Sequence, residues 1–320
     1  MNILLITDQY PPEIRAISFM MQELAEYLAG KGNVVTVITS MPQPELMENQ
    51  AKINIPTLDV QNGVKVIRVA IPFKIRKGNI HKAFNQLSIP TLFHRKIRKL
   101  VKEKIDTVIV YTPPLPLGLV GIKVKEYYGA NYLLNIQDIF PQNAIDLGIL
   151  RNKFIIKYFE SMESKIYKSA DRITAHTNGG KEYLIKYKNI QRGKISTVSN
   201  WLDFKTYQKA NPKKYFRKKY GLENKFIILS AGIMGPAQNL DFILRIAGKL
   251  NDFPEICFLL VGEGSEKKRL QRIVNDNKSQ NVLFKDYVTR DEYPFLAKEV
   301  DIGLVSLADK NKTPVMPGKI

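Results

Sequence analysis

Residues 226–240 read Phe226-Ile227-Ile228-Leu229-Ser230-Ala231-Gly232-Ile233-Met234-Gly235-Pro236-Ala237-Gln238-Asn239-Leu240. An apolar run closes on glycines, and a helical pattern over Leu240–Leu250 takes over within a few residues. Buried parallel strands enter their crossover helices in this way. The unit recurs downstream: strand Ile256–Val261, glycines Gly262 and Gly264, helix Ser265–Asn275. Strand Val282–Phe284, a short helix near Asp291–Lys298 and strand Ile302–Val305 complete the series. Working upstream, Asn200-Trp201-Leu202-Asp203 and a polar, basic stretch to Tyr220 interrupt the pattern. A second alternating series lies before that break. Its strands are expected at Ile3–Thr7, Val34–Thr39, Val64–Val69, Thr107–Tyr111, Tyr132–Ile136, Arg172–His176 and Ile195–Val198. Its helices are expected at Ala16–Ala29, Phe84–Lys102, Leu117–Tyr128, Phe154–Lys168 and Gly180–Lys186, with Gly32 as a stop after the first. The fold class is therefore α/β, with two Rossmann-like doubly wound domains at 1–203 and 204–320 and a hinge near 200–212.

Composition narrows the function. The chain has 320 residues, 44% apolar and 25% charged, as expected of a folded globular protein. One cysteine, Cys257, excludes an internal disulfide framework and any multi-cysteine zinc site. No run reaches the ~18–20 apolar residues of a membrane span. The opening Met1-Asn2-Ile3 lacks a signal peptide's basic start, so a cytoplasmic protein is expected. Net charge is +19, and Lys74–Lys104 holds ten basic residues against Glu103 alone. There Ile97, Leu100, Val101 and Lys104 follow helical spacing. This basic segment reads either as a solvated face over a core helix or as a dock for an anionic membrane surface, worth ~1 kcal/mol per cation. No nucleic-acid signature accompanies the charge, so nucleic acid is not an expected partner.

Ligands of open α/β sheets sit beyond the carboxyl ends of the strands, which makes each strand-to-helix loop a candidate. The first is Asp8-Gln9-Tyr10-Pro11-Pro12-Glu13-Ile14-Arg15, leading to helix N–H groups suited to an anion. The second is Gln137-Asp138, where a carboxylate could orient a sugar hydroxyl or cap a helix. Gly232, Gly235, Gly262 and Gly264 would let backbone approach a phosphate. Lys267 replaces the third glycine of a dinucleotide fingerprint, and no P-loop motif occurs. His81, His94 and His176 are scattered without metal-ligand spacing, and no Asp-x-Asp pair or serine-hydrolase elbow is present. Cys257 reads as a small buried hydrophobe.

In order, these elements resemble the family 4 retaining glycosyltransferases of bacterial O-antigen, capsule and colanic acid assembly. The resemblance rests on Asp8–Ile14, Val34–Thr39, Asp138-Ile139-Phe140-Pro141, Val198–Asp203, Gly232–Leu240, Leu260–Gly264 and Ala297–Leu307 with Asp301, leading to Met316–Ile320. It implies the GT-B fold, with the second domain binding a nucleotide-sugar donor of UDP type. The first domain would hold a lipid-linked saccharide acceptor at the inner face of the cytoplasmic membrane. No metal or other cofactor is implied. By the same resemblance Gly232, Gly235, Gln238, Gly262, Glu263, Gly264 and Lys319 would be donor-binding, and Asp138 and Gln137 catalytic. Asp8, Tyr10, Pro12, Glu13 and Arg15 would form the acceptor-side loop. Departures are Arg15-Ala16 where many relatives have Gly-Gly, Gln137 where many have His, and Gly318 for Ser. No match stands for the phosphate-clamping Arg and Lys. Relatives continue past the position of Ile320 into a glutamate-bearing helix, so a poorly active chain is expected. A nucleotide-sugar epimerase of the same fold and an inactive membrane-associated binding protein are the competing readings.

Overall fold

Side-chain alternation along the first strand feeds two cores. The computed structural model describes residues 1–42, 54–71, 79–202, 207–208, 215–310 and 312–314, with backbone alone for 79–86. In β1 (Asn2–Ile6), Ile3 and Leu5 enter one core while Leu4 and Ile6 enter the other, as a period of two requires. Helix α1 (Ala16–Gly30) covers the first of these with Met21 and Ala25. The chain leaves α1 at Gly32, whose φ of +83° few other residues tolerate.

Next come β2 (Val34–Ser40), β3 (Leu58–Gln61), β4 (Val64–Val69), α2 (Asn79–Leu100), β5 (Thr107–Thr112), α3 (Leu117–Tyr128) and β6 (Asn131–Ile136). They are followed by α4 (Gln142–Asp146), α5 (Lys153–Ser169), β7 (Arg172–Ala175), α6 (Asn178–Lys188) and β8 (Ile195–Thr197). The strands lie in the order β3-β4-β2-β1-β5-β6-β7-β8, parallel except for β3 against β4. Sequence reading overlooked β3, although Asn62 (φ +49°) and Gly63 (φ +78°) form the Asn-Gly turn that hairpins favour. On the second face Phe93, Ile97, Val120, Phe159 and Ile166 from α2, α3 and α5 pack with Leu4 and Ile6.

A smaller sheet follows. Its elements are α7 (Tyr215–Tyr220), β9 (Phe226–Ala231), α8 (Leu240–Lys249), β10 (Ile256–Val261), α9 (Lys267–Asp276), β11 (Val282–Lys285), α10 (Tyr293–Glu299) and β12 (Ile302–Gly303). The order is β11-β10-β9-β12, all parallel. Ile227, Leu229, Cys257 and Leu259 face one core with Phe216 and Leu296, while Phe258 and Leu260 face another with Ile243 and Leu270. Helix α7 lies in the stretch read from sequence as merely polar. Its free N-terminal N–H groups are taken up from far along the chain: the Glu299 carboxylate accepts from Tyr215 and Phe216 at 2.8 Å and from Arg217 at 3.0 Å. The Arg217 guanidinium in turn donates to the Lys225 carbonyl and to Asp301.

The chain divides into two compact units. The first is Met1–Trp201, joined by Thr313 and Pro314, and the second is Leu202–Lys312.

Candidate active site

Strand order turns at β1 in the first unit, with β2 on one side and β5 on the other. The loop after β1 therefore opens at the switch point where such sheets bind ligands. Asp8 is half-buried there, and its carboxylate accepts from the Ser40 hydroxyl at 2.7 Å, tying the loop to the end of β2. Burial raises its pKa, opposed by the Ser40 hydrogen bond and the Arg15 charge. Pro12 and Arg15 are likewise half-buried. Tyr10 and Glu13, expected to face an acceptor, instead turn inward, with 1% and 3% of their surface exposed. Tyr10 packs in the core beneath α1, and its hydroxyl has no hydrogen-bond partner among the described residues. The reason is Pro11, whose carbonyl is held at 3.0 Å by the fully buried Arg68. Arg68 also donates to the Pro56 carbonyl and lies 3.7 Å from Asp59. Burial pulls the guanidinium pKa down and Asp59 opposes it. Sequence reading had no signal for Arg68, an arginine inside a strand.

A second group gathers at the ends of β5, β6 and β7. Gln137 is buried, donates to the Asn135 carboxamide at 2.8 Å, and its backbone N–H bonds to the Thr112 carbonyl. Asp138, half-buried, is no helix cap, because α4 begins only at Gln142 behind Pro141. Burial raises the Asp138 pKa, and the charge on His176 opposes that rise. His176 follows β7 directly and is itself buried. Burial depresses the imidazole, while Asp138 and a hydrogen bond to the Ile136 backbone favour its protonation. His176 was read from sequence as one of three unconnected histidines. Adjacent parallel strands β6 and β7 bring it beside Asp138, a pairing that depends on strand order.

In the second unit β9 is the switch strand, and the glycine turns after β9 and β10 lie against each other. The Gly232 N–H donates to Val261 and the Met234 N–H to Glu263, each at 2.8 Å, prolonging the parallel ladder beyond both strands. A Cβ on Gly264 would stand 2.2 Å from the Met234 carbonyl oxygen. Backbone packing between two loops is thus the first demand on these glycines, where the sequence had suggested approach to a phosphate. Gln238 reaches back to accept the Gly235 N–H at 3.0 Å, so its carboxamide oxygen shapes the turn. Glu263 pairs at 2.5 Å with Lys267, which also meets Asp286 at 2.7 Å. Burial works against the Lys267 charge, but both carboxylates outweigh it and its pKa is raised. Lys319 lies outside the described residues, as do Met316, Pro317, Gly318, Asp203 and the side chain of Lys82.

Over its described side chains, the basic helix α2 turns most of its apolar groups to the core and leaves Leu87 exposed. Ile89, Phe93 and Ile97 are buried, and Arg95, Arg98 and Lys99 face solvent. Lys74, Arg76 and Lys77 lie outside the described residues. Among the described residues no three His, Cys, Asp or Glu side chains are placed to hold a metal ion, and no helix is long and apolar enough to cross a membrane.

Two Rossmann-like units, each with its loops at the carboxyl ends of parallel strands, have the GT-B architecture, and solved structures of that fold match nearly the whole chain. The chain belongs to glycosyltransferase family 4, whose model, Glycosyltransferase Family 4, matches residues 17–206. It is 24% identical, over all of its length and 80% of the relative's, to an Escherichia coli (strain K12) protein named as a colanic acid biosynthesis glycosyl transferase, WcaI. It is 20% identical to the alpha-monoglucosyldiacylglycerol synthase of Acholeplasma laidlawii, over 88% of this chain and 68% of that one. The crystal structure of Anabaena Alr3699/HepE in complex with UDP-glucose matches 96% of this chain and 74% of its own, with a TM-score of 0.65 at 13% identity.

Proposed function

We propose that this glycosyltransferase moves a sugar, with retention of anomeric configuration, from a UDP-sugar to a lipid-linked saccharide in surface-polysaccharide assembly. The reading assigns the donor to the second unit and the acceptor to the Asp8 and Asp138 loops of the first. Its chief support is the position of the glycine turns after β9 and β10, beyond the carboxyl end of the switch strand β9, where open α/β sheets bind their ligands. Lys267 is the cation nearest in sequence to these turns. The reading assigns Asp138 the positioning of the reacting hydroxyls, with the His176 charge acting on its carboxylate and Gln137 beside it in sequence. No divalent ion is assigned a role. The UDP-glucose complex of HepE supports the donor class, and the name of the Acholeplasma synthase supports a lipid acceptor.

The test is transfer from a panel of UDP-sugars to polyprenyl-diphosphate saccharides, with and without a chelator, and the product's anomeric configuration read by NMR. The reading expects UDP to raise the melting temperature, an axial or equatorial linkage matching the donor's, and product unaffected by chelation. Absence of both UDP binding and transfer, or inversion at the anomeric carbon, overturns it.

A further inference from the structure

Among the described residues of the first unit, exposed large apolar side chains crowd together at one place, where Ile149, Phe154, Ile155 and Tyr158 fall within ten residues. Ahead of α5 and in its first turns, Ile149, Phe154 and Tyr158 project outward, and Phe154 is 86% exposed. The rest of α5 behaves ordinarily, sending Phe159, Met162 and Ile166 into the core. Phe154 and Tyr158, one helical turn apart, share a face. Asn152 caps the helix, its side-chain oxygen accepting the Phe154 and Ile155 N–H groups at 3.0 and 3.2 Å, so the start of the helix and the position of Phe154 are fixed. Arg151, Lys153 and Lys157 are exposed around these apolar groups, and no acidic residue lies between Ile149 and Tyr158.

We propose that this segment, residues 149–158, docks on an anionic lipid bilayer, with Phe154 and Ile149 entering the headgroup–acyl boundary and the three cations meeting lipid phosphates. An apolar tip ringed by positive charge, with a tyrosine at its margin, has the chemistry of an interfacial anchor. A second copy of the chain is a poorer occupant, because pairing this face with itself would bring the two sets of cations together. Over its described side chains helix α2 buries Ile89, Phe93 and Ile97 and leaves Leu87 37% exposed, so there it offers a bilayer chiefly charge. The root of the patch also touches the candidate site, since Phe159 packs edge-on against Phe140 at 5.0 Å, two residues beyond Asp138. Docking here would bring the Asp138 loop to the membrane surface. That consequence rests on the proposed lipid-linked acceptor; the docking itself is measured without donor or acceptor, so either can fail alone.

The experiment is flotation of the full chain with phosphatidylcholine vesicles containing about 30 mol% phosphatidylglycerol, and with phosphatidylcholine alone. The wild type should float with the anionic vesicles only. The double variant Phe154→Ser/Tyr158→Ser and the double variant Lys153→Glu/Lys157→Glu should each lose at least about tenfold in partitioning while keeping the wild-type melting temperature. Arg95→Glu/Lys99→Glu on α2 should lose less. In Phe154→Trp the added fluorescence should shift to the blue and be quenched by brominated acyl chains. Failure of the wild type to float, unchanged binding by both 153–158 variants, or unquenched Trp fluorescence overturns the assignment. So does a dimer in sedimentation that Phe154→Ser/Tyr158→Ser dissolves, because the patch would then serve a second copy.

Discussion

The carbonyl oxygen of Gly232 stands 2.0 Å from the point a Cβ on Gly262 would occupy. Gly262 also has φ of +139°, a conformation few other residues adopt. Since backbone, not a movable side chain, fills the space, Gly262→Ala must break the ladder between the two turns. We expect a loss of about 3 kcal/mol or more in denaturant unfolding. Gly248→Ala, on α8 with nothing within 4 Å of its Cβ position, should instead stabilise by about 0.5–1 kcal/mol.

Asp138 and His176 predict opposite limbs of a pH profile. Burial raises the carboxyl pKa in the folded protein, so its contribution is favourable at low pH and is lost as pH rises through the folded value. Asp138→Asn should therefore raise the melting temperature at pH 7 and abolish transfer. His176 is depressed below 6.5, so its stabilising contribution is complete above that pH and lost as pH falls towards the folded value. His176→Gln should flatten the fall in melting temperature as pH drops below about 6.5. An unchanged acid limb would remove His176 from this account.

Arg68 and Tyr10 separate loop support from ligand contact. Arg68→Met leaves the Pro11 and Pro56 carbonyls without their donor and should cost about 2–4 kcal/mol by chemical denaturation. Tyr10→Phe removes a hydroxyl that has no partner among the described residues. Stability should hold or rise by up to about 1 kcal/mol, with transfer intact. Lost transfer at wild-type stability would place the Tyr10 hydroxyl on a ligand after all.

Lys267 holds Glu263 and Asp286 together at the mouth of the second glycine turn. Lys267→Met should leave the Glu263 charge uncompensated where a diphosphate is proposed to bind. We expect UDP affinity by calorimetry to fall roughly tenfold, and to recover in part in Lys267→Met/Glu263→Gln.

Most of the strands and helices were legible because their signals are local. In β1 apolar residues supply both faces, and in α8 Leu240, Ile243, Leu244 and Ala247 mark one stripe. Three misses have separate causes. Strand β3 is short and half-exposed, so it carries little pattern beyond its Asn-Gly turn. Helix α7 is polar and is held by Glu299, more than eighty residues away. The outward face of Phe154 and Tyr158 could not be told from the core face of α5, since both are apolar.

By itself the amino-acid order determined two α/β halves, the break between them and the loops that carry the candidate site. Periodicity and turn chemistry are properties of neighbouring residues, and they survive in any reading of the chain. Tertiary structure alone decided that His176 stands by Asp138, that Tyr10 turns inward under the hold of Arg68, and that Gly262 makes room for Gly232. Each depends on strand order, in which β1 lies between β2 and β5 and β6 lies beside β7. Those partners come from distant parts of the chain, so their meeting reflects which sheet buries the most apolar surface, a balance no local stretch contains.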